Sequence, residues 1–318
     1  MPMSKILLSK LTIIVPCYNE EANIKALLET LQKNLKLVAG WEIQYLLVND
    51  GSRDSTWQII SQLAQESRDI LGLNLSRNFG KEAALLAGIE QAPLSDAYLT
   101  LDADLQDDPR IIAEMIKKLD TGYDIVYGQR SERKDSLLYI FLASGFYWLM
   151  DMATKGAIPK NVADFYIFNE RVRLEFLKLQ ESVRFTRGLL FYTGFKKAPV
   201  MYTREKRVAG STSWNYFKLF KFSLDGLTSF STFPLHLISI IGFVGCAMSV
   251  FGVVIYVGYS VFSGVSGSNG WASIILLITF FGSLQIMMLG IIAEYMARNT
   301  LEIKNRQKYI VMDRANLD

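Results

Sequence analysis

The amino-acid sequence predicts an α/β domain with a mostly parallel sheet, followed by two transmembrane helices. Three observations carry that expectation. Short apolar runs alternate with polar turns and amphipathic segments, the pattern of strands and helices in turn. The residues just past those runs are carboxylates, amides and cations, and parallel sheets gather their ligands at the carboxyl ends of their strands. Two long segments near the C-terminus contain no Asp, Glu, Lys or Arg.

The elements follow in order. Leu11–Val15 is a continuous apolar run, as for a parallel strand buried on both faces, and Pro16 is expected to stop it. Asn19 is placed to cap a helix whose apolar face is Ile24, Leu27, Leu28, Leu31 and Leu35. Tyr45–Val48 is a second strand, running into Asn49, Asp50, Gly51 and Ser52. Asp54 or Ser55 then caps a helix over Thr56–Gln65. Leu71–Leu75 is a third strand, followed by Arg77, Asn78, Phe79, Gly80 and Lys81 and by a helix through Ala84 and Gly88. Tyr98–Leu101 is a fourth. Asp124–Tyr127 is a fifth, leading to Gly128, Gln129, Arg130 and Arg133. Ser136–Met150 is short for a span and suits a helix lying in the membrane interface or packed on its own domain. Asn161–Phe168 sets Asp164 among apolar residues. Tyr202–Ser213 concentrates Arg204, Lys206 and Arg207 before a Gly/Ser/Thr-rich turn.

The most chemically pointed stretch is Leu99–Pro109, LTLDADLQDDP. Asp102 and Asp104 stand at i and i+2 just past a strand, a spacing that points both side chains to one side in extended chain. Two such carboxylates repel unless a cation lies between them. Gln106 adds a neutral oxygen. Hard oxygen ligands without nearby His or Cys suit Mg²⁺ or Mn²⁺. Asp107 and Asp108 carry the plainer reading of a solvated acidic turn, with Asp108 and Pro109 opening a helix over Arg110–Leu119. Its apolar face is Ile111, Ile112, Met115, Ile116 and Leu119.

The domains expected are a cytoplasmic catalytic unit over 1–213, an amphipathic juxtamembrane helix over 214–233, spans over 235–262 and 271–297, and a cytoplasmic tail over 298–318. Mean hydropathy is +0.19, high for a purely soluble enzyme. Leu235–Phe262 and Trp271–Ala293 lack charge, and each is long enough to cross a hydrocarbon core of about 30 Å. Cations flank the pair on both outer sides and are missing from Ser263–Gly270. The positive-inside rule then places both termini in the cytoplasm and the protein in the plasma (inner) membrane, multi-pass. The net charge of +3 is modest, and the cations near the spans suit anionic lipid rather than nucleic acid. The Lys5 and Lys10 region lacks a cleavable signal pattern. Tyr309–Met312 reads as a strand in need of a partner.

Taken together, these motifs resemble the inverting family-two glycosyltransferases of the GT-A fold. The resemblance is most specific to the polyprenyl-phosphate branch, with its bactoprenol glucosyltransferases and dolichyl-phosphate mannose synthases. It is carried by IVPCYNEE at Ile14–Glu21, VNDGSRDST at Val48–Thr56, SRNFGKEAAL at Ser76–Leu85 and LDADLQDDP at Leu101–Pro109. GQRSER at Gly128–Arg133, ADFYIF at Ala163–Phe168 and YTREKRVAG at Tyr202–Gly210 extend it. Two positions depart from the branch pattern: Tyr166 stands where an Arg is usual, and Ser213 where a Lys is usual. The QxxRW motif of processive synthases is absent.

The resemblance implies transfer of a single sugar, glucose from UDP-glucose, to undecaprenyl phosphate with inversion. GDP-mannose or a modified UDP-sugar stays open as donor. From another class, a non-catalytic nucleotide-sugar-binding subunit stays open too. It also implies a homo-oligomer, a tetramer among the options. Asp104, with Asp102 and Gln106, would hold Mg²⁺ or Mn²⁺. Pro16, Tyr18, Glu20, Asp50, Lys81 and Asp102 would bind the nucleotide sugar, with Asp50 accepting from a ring N–H of the base. Asp164 stands where inverting members keep a general base. Arg130, Arg133, Arg204 and Arg207 are the candidates for the lipid phosphate, since Arg suits bidentate phosphate recognition.

Overall fold

In the computed structural model the described residues are 8–36, 38–130, 162–179, 186–203, 270–304 and 306–317, with shorter helical pieces between 240 and 262. The expectations for Ser136–Met150, for 204–233 and for most of Leu235–Phe262 lie outside them.

One eight-stranded sheet organises the first part of the chain and takes in its last strand. Its strands are β1 (Ser9–Cys17), β2 (Trp41–Asn49), β3 (Ile70–Leu75), β4 (Ala97–Thr100), β5 (Ile125–Arg130), β6 (Val162–Asn169), β7 (Lys197–Tyr202) and β8 (Val311–Ala315). Their spatial order is β7-β5-β6-β4-β1-β2-β3-β8. β1 pairs in parallel with β2 and β4, β2 with β3, and β5 with β7. β6 runs antiparallel to both β4 and β5, and β8 antiparallel to β3. The sheet is therefore mixed: the parallel half is the one expected, and β6 and β8 are reversed.

The alternation of β1 shows how the sheet is covered. Leu11, Ile13 and Val15 join a core with α1 (Ile24–Leu35), α2 (Thr56–Glu66) and α4 (Ile112–Asp120). Ile14 points to the other face, against α3 (Lys81–Gln91), where a Cβ on Gly88 would lie 2.3 Å from Ile14 Cγ2. Only glycine lets α3 approach that closely. All five expected apolar residues of α1 are buried, as the helical period requires. α5 (Glu170–Lys178) and α6 (Thr186–Tyr192) bury Val172, Phe176, Leu189, Leu190 and Phe191.

Three local expectations are corrected. Pro16 does not stop β1, which runs through it to Cys17 in register with Val48 and Asn49. Asn19 does not cap α1; the N-cap is Asn23, and the Asn19 side chain accepts from Arg53 N at 2.9 Å with its own φ at +55°. Asp107 is not in a solvated turn. It is 2% exposed and accepts a hydrogen bond from the Tyr202 hydroxyl. Asp108 does cap as expected, accepting from Arg110 N at 2.9 Å, although the first turn Pro109–Ile111 is 3₁₀.

The chain divides into two units, one over Met1–Asn215 with Gln307–Asp318, the other over Tyr216–Arg306. In the second, α7 (Trp271–Lys304) runs 34 residues. Its segment Phe280–Lys304 is, among the described residues, the one helix long and apolar enough to cross a membrane. Residues 240–245 are helical too. A Cβ at Gly242 would stand 3.6 Å from Met288 Cε, and one at Gly245 3.8 Å from Phe281 Cε1. The descending 288 and 281 against the ascending 242 and 245 give an antiparallel approach of this segment to α7. The end of the chain returns to the first unit, where β8 covers the edge of β3 that would otherwise stand open.

Candidate active site

The carboxyl ends of β1, β2, β3 and β4 lie side by side, and each hands over to a loop with polar residues. β6 enters from the opposite direction, so Asp164 near its start arrives where β4 ends. Thr100 Oγ1 donates to the Asp164 carbonyl at 3.3 Å across that pairing.

The centre of the constellation is Lys81, the first residue of α3. Its ammonium donates to Asp102 Oδ2 at 2.9 Å and to Asp164 Oδ2 at 2.7 Å. The opposite Asp164 oxygen stands 3.6 Å from Arg187 Nη1 of α6. The Lys81 side chain is 40% exposed, and those of Asp102 and Asp164 are 26% and 25%, so the group opens to solvent. Burial opposes charge on Lys81, but Asp164 and Asp102 outweigh it and hold the ammonium well above the usual lysine range. Burial raises the Asp102 carboxyl, Lys81 pulls it back, and Asp164 pushes it up again. Beside them Glu82 is raised by burial and by Asp164, and accepts from Thr186 N at 2.8 Å, which anchors the start of α6.

Asp50 behaves differently. It is 3% exposed, and its two oxygens accept from Phe79 N at 2.7 Å and Gly80 N at 2.9 Å. Burial raises it, and those two bonds and Arg77 pull it back. Here it holds the 76–80 loop that delivers Lys81. Gly51, with φ at +61°, sits so close to that loop that a Cβ would come 2.2 Å from the Arg77 carbonyl carbon. Arg77 stacks its guanidinium 4.1 Å over the Phe79 ring.

The other expected residues fall as follows. Pro16 is next to last in β1, in register with Val48, Tyr18 is 42% exposed, and Glu20 accepts from Asn23 Nδ2 at 2.7 Å. Asp104 and Gln106 lie on the turn after β4, where Leu105 takes φ +56° and Gln106 N donates to Asp104 Oδ1 at 3.3 Å. Asp102, Asp104 and Gln106 carry hard-oxygen donors, the kind Mg²⁺ and Mn²⁺ prefer, on one short loop, and both Asp102 oxygens lie within 2.9 Å of the Lys81 ammonium. Among the described residues no three His, Cys, Asp or Glu side chains converge on a candidate ion site. Arg130 ends β5 in register with Tyr202, so β5 and β7 leave the sheet together; Arg133, Arg204 and Arg207 lie outside the described residues.

Two participants were not singled out by sequence. Arg187 sits in a stretch without a motif and is brought in by the packing of α6 against α3, whereas Glu82 stands next to Lys81 inside the SRNFGKEAAL stretch. Tyr166, the departure from the branch pattern, is fully buried and paired with Thr100 in the sheet register. Among the described residues, the cations beside Asp164 include Lys81 and Arg187.

A mixed sheet of this order, with acidic residues past its central strands, is GT-A-like, and residues 12–177 match the family described as Glycosyl transferase family 2. The chain belongs to that family. It is 36% identical over 304 residues to the SfII prophage-derived bactoprenol glucosyl transferase of Shigella flexneri, covering 95% of this chain and 97% of that one. It is 35% identical over 304 residues to the prophage bactoprenol glucosyl transferase homolog of Escherichia coli K12, covering 95% and 98%. An uncharacterized glycosyltransferase of Synechocystis is 38% identical over 307 residues, covering 96% and 95%.

Proposed function

We propose that this glycosyltransferase moves one sugar, glucose from UDP-glucose, onto the phosphate of undecaprenyl phosphate, with inversion at the anomeric carbon. The observation that carries the reading is the cluster of Lys81, Asp102, Asp164 and Arg187 at the strand ends. It pairs two acids with two cations, open to solvent, in a chain whose relatives are named for bactoprenol glucosyl transfer.

In the reaction a phosphate oxygen of the lipid attacks the anomeric carbon. The bond from that carbon to the diphosphate breaks, and the nucleoside diphosphate leaves. Asp104, with Asp102 and Gln106, would hold Mg²⁺ or Mn²⁺, whose charge offsets the charge building on the leaving group. Tyr18, Glu20 and the loops fixed by Asp50 border the nucleotide. The attacking group is a phosphate monoester with a second pKa of about 6, so near neutral pH it is mostly a dianion. It has little need of a base. Asp164 therefore orients the sugar hydroxyls and the attacking oxygen, and Lys81 and Arg187 offset its repulsion of the dianion. Arg130, Arg133, Arg204 and Arg207 are the proposed lipid-phosphate ligands.

In this reading α7 and the apolar segment 235–262 anchor the enzyme as two spans, with both termini cytoplasmic. A Ser266→Cys variant is expected to react with an impermeant thiol reagent from outside intact cells, and an Arg306→Cys variant to stay protected. The reverse pattern would place the catalytic unit outside. The function is tested by offering the purified full-length protein a panel of nucleotide sugars with undecaprenyl phosphate. Consumption of UDP-glucose above all others is expected; preferential consumption of GDP-mannose would reassign the donor. Arg207→Ala is expected to raise the KM for the lipid more than that for the donor, because a charge-assisted contact of about 1.5–3 kcal/mol is lost. Equal effects on both substrates would remove Arg207 from the lipid site.

A further inference from the structure

The strand that follows α7 is bonded into the loops on the nucleotide side of the sheet. β8 lies along β3 with Gly72 opposite Ala315 and Asn74 opposite Asp313, and Ser76 N donates to Ile310 O at 2.9 Å where β3 gives way to the 76–80 loop. The same segment grips α3 on the far side of that loop. The Tyr309 hydroxyl bonds the Glu90 carboxylate and accepts from Gln91 Nε2 at 3.2 Å, and Arg314 Nη2 donates to Gln91 Oε1 at 3.0 Å.

A relay of side chains runs inward from it. Asn74 Nδ2 donates to Asp313 Oδ2 at 2.9 Å, and Asn49 Nδ2 donates to Asn74 Oδ1 at 2.7 Å. Ser52 Oγ donates to Asn49 Oδ1 at 2.5 Å, and Asn19 N donates to Ser52 Oγ at 2.9 Å. Asn49 and Asn74 are 2% and 7% exposed. Each amide in such a chain is oriented by the next one. With an acceptor at 313, the NH₂ of Asn74 faces the tail and its carbonyl faces Asn49. Without that acceptor, the Asn74 NH₂ loses its partner on the tail and the amide is no longer held against reversal, which would turn its NH₂ toward Asn49. Asn49 then loses its own acceptor, and Ser52 loses the orientation that receives Asn19. The relay ends on a non-glycine residue in the left-handed region, a conformation that its surroundings must hold.

We infer that residues 307–318 are a positioning element for the nucleoside diphosphate, with Asp313 acting through Asn74, Asn49 and Ser52 on the backbone of Tyr18–Glu20. The inference rests on the function proposed above and deepens it: the tail adds no contact to the ligand and sets the shape of the pocket that receives it. The chain that leaves α7 at Lys304 is thus the chain that completes the donor side of the sheet.

The test uses full-length protein in detergent, with UDP as the binding probe, and compares Asp313→Leu, which removes the acceptor, with Asp313→Asn, which keeps an oxygen. Asp313→Leu is expected to weaken UDP binding and raise the donor KM by about five- to tenfold, the scale of one lost hydrogen bond to a charged group. Its kcat and apparent Tm should stay near wild type. Asp313→Asn should bind within about twofold of wild type, since the acceptor remains. Equal UDP binding by wild type and Asp313→Leu would overturn the inference. So would equal losses in both variants, or a loss that tracks a fall in Tm. Wild-type protein that binds neither UDP nor GDP would instead remove the donor reading on which the inference stands.

Discussion

Asp50 and the pair Asp102–Asp164 are all acids at the ends of neighbouring strands, yet they are neutralised in different ways. Asp50 is held by two backbone N–H groups and is almost inaccessible. Asp102 and Asp164 are held by the side-chain cations Lys81 and Arg187, and about a quarter of each carboxylate side chain is exposed. The backbone donors of Phe79 and Gly80 are fixed by the fold and are already engaged by Asp50. A lysine ammonium on a flexible stem can exchange one oxygen partner for another. The first arrangement fixes the 76–80 loop, and the second leaves charged side chains open to solvent. Under the proposed function, the contrast separates residues that shape the site from residues that meet the substrate.

Three substitutions break or sharpen this contrast. Lys81→Ala leaves both acids without their shared cation and is expected to cost transfer roughly 10²–10³-fold, the scale of losing one preorganised electrostatic partner. Because the group opens to solvent, its apparent Tm should shift little. Comparing initial transfer rates with thermal unfolding checks both halves, and a large loss of Tm would place Lys81 among the residues that shape the site. Gly51→Ala should act in the opposite sense, on the fold first. Its φ of +61° and the 2.2 Å approach to Arg77 leave no room for a methyl group. A cost of about 3 kcal/mol is expected, read as a fall in apparent Tm of several degrees and a rise in donor KM. Tyr202→Phe removes the hydroxyl that bonds buried Asp107 and should cost about 1–2 kcal/mol of stability with transfer nearly intact. A transfer defect larger than its stability defect would bring Asp107 into the chemistry.

The parallel half of the sheet was legible because it depends on local pattern. Continuous apolar runs mark strands buried on both faces, and the period of Ile24, Leu27, Leu28, Leu31 and Leu35 marks a helix face. The polar residues past those strand ends were legible for the same reason, and the structure brings Lys81, Asp102 and Asp164 together there. What stayed hidden are contacts between residues far apart in the chain. Lys81 meets Asp164 across 83 positions, Tyr202 meets Asp107 across 95, and Asn74 meets Asp313 across 239. No periodicity encodes such pairs. The apparent N-cap at Asn19 failed because a short polar side chain serves a neighbouring loop as readily as a helix end. Tyr309–Met312 carried a strand pattern but no sign that β3 would be its partner. The unusual Tyr166 told of a missing cation, while the Arg187 that stands near Asp164 belongs to another element.

The reading that an open, cation-balanced acid cluster transfers sugar to a lipid phosphate is tested most directly by following the label. Purified full-length protein would be given UDP-glucose labelled in the sugar, undecaprenyl phosphate and Mn²⁺, and the products partitioned between water and organic solvent. Label should move into the organic phase with wild type and stay in water with Asp104→Asn, which should also lose Mn²⁺-dependent UDP binding. Label that stays in water for wild type with every nucleotide sugar offered, or an Asp104→Asn variant that transfers as fast as wild type, would contradict the account.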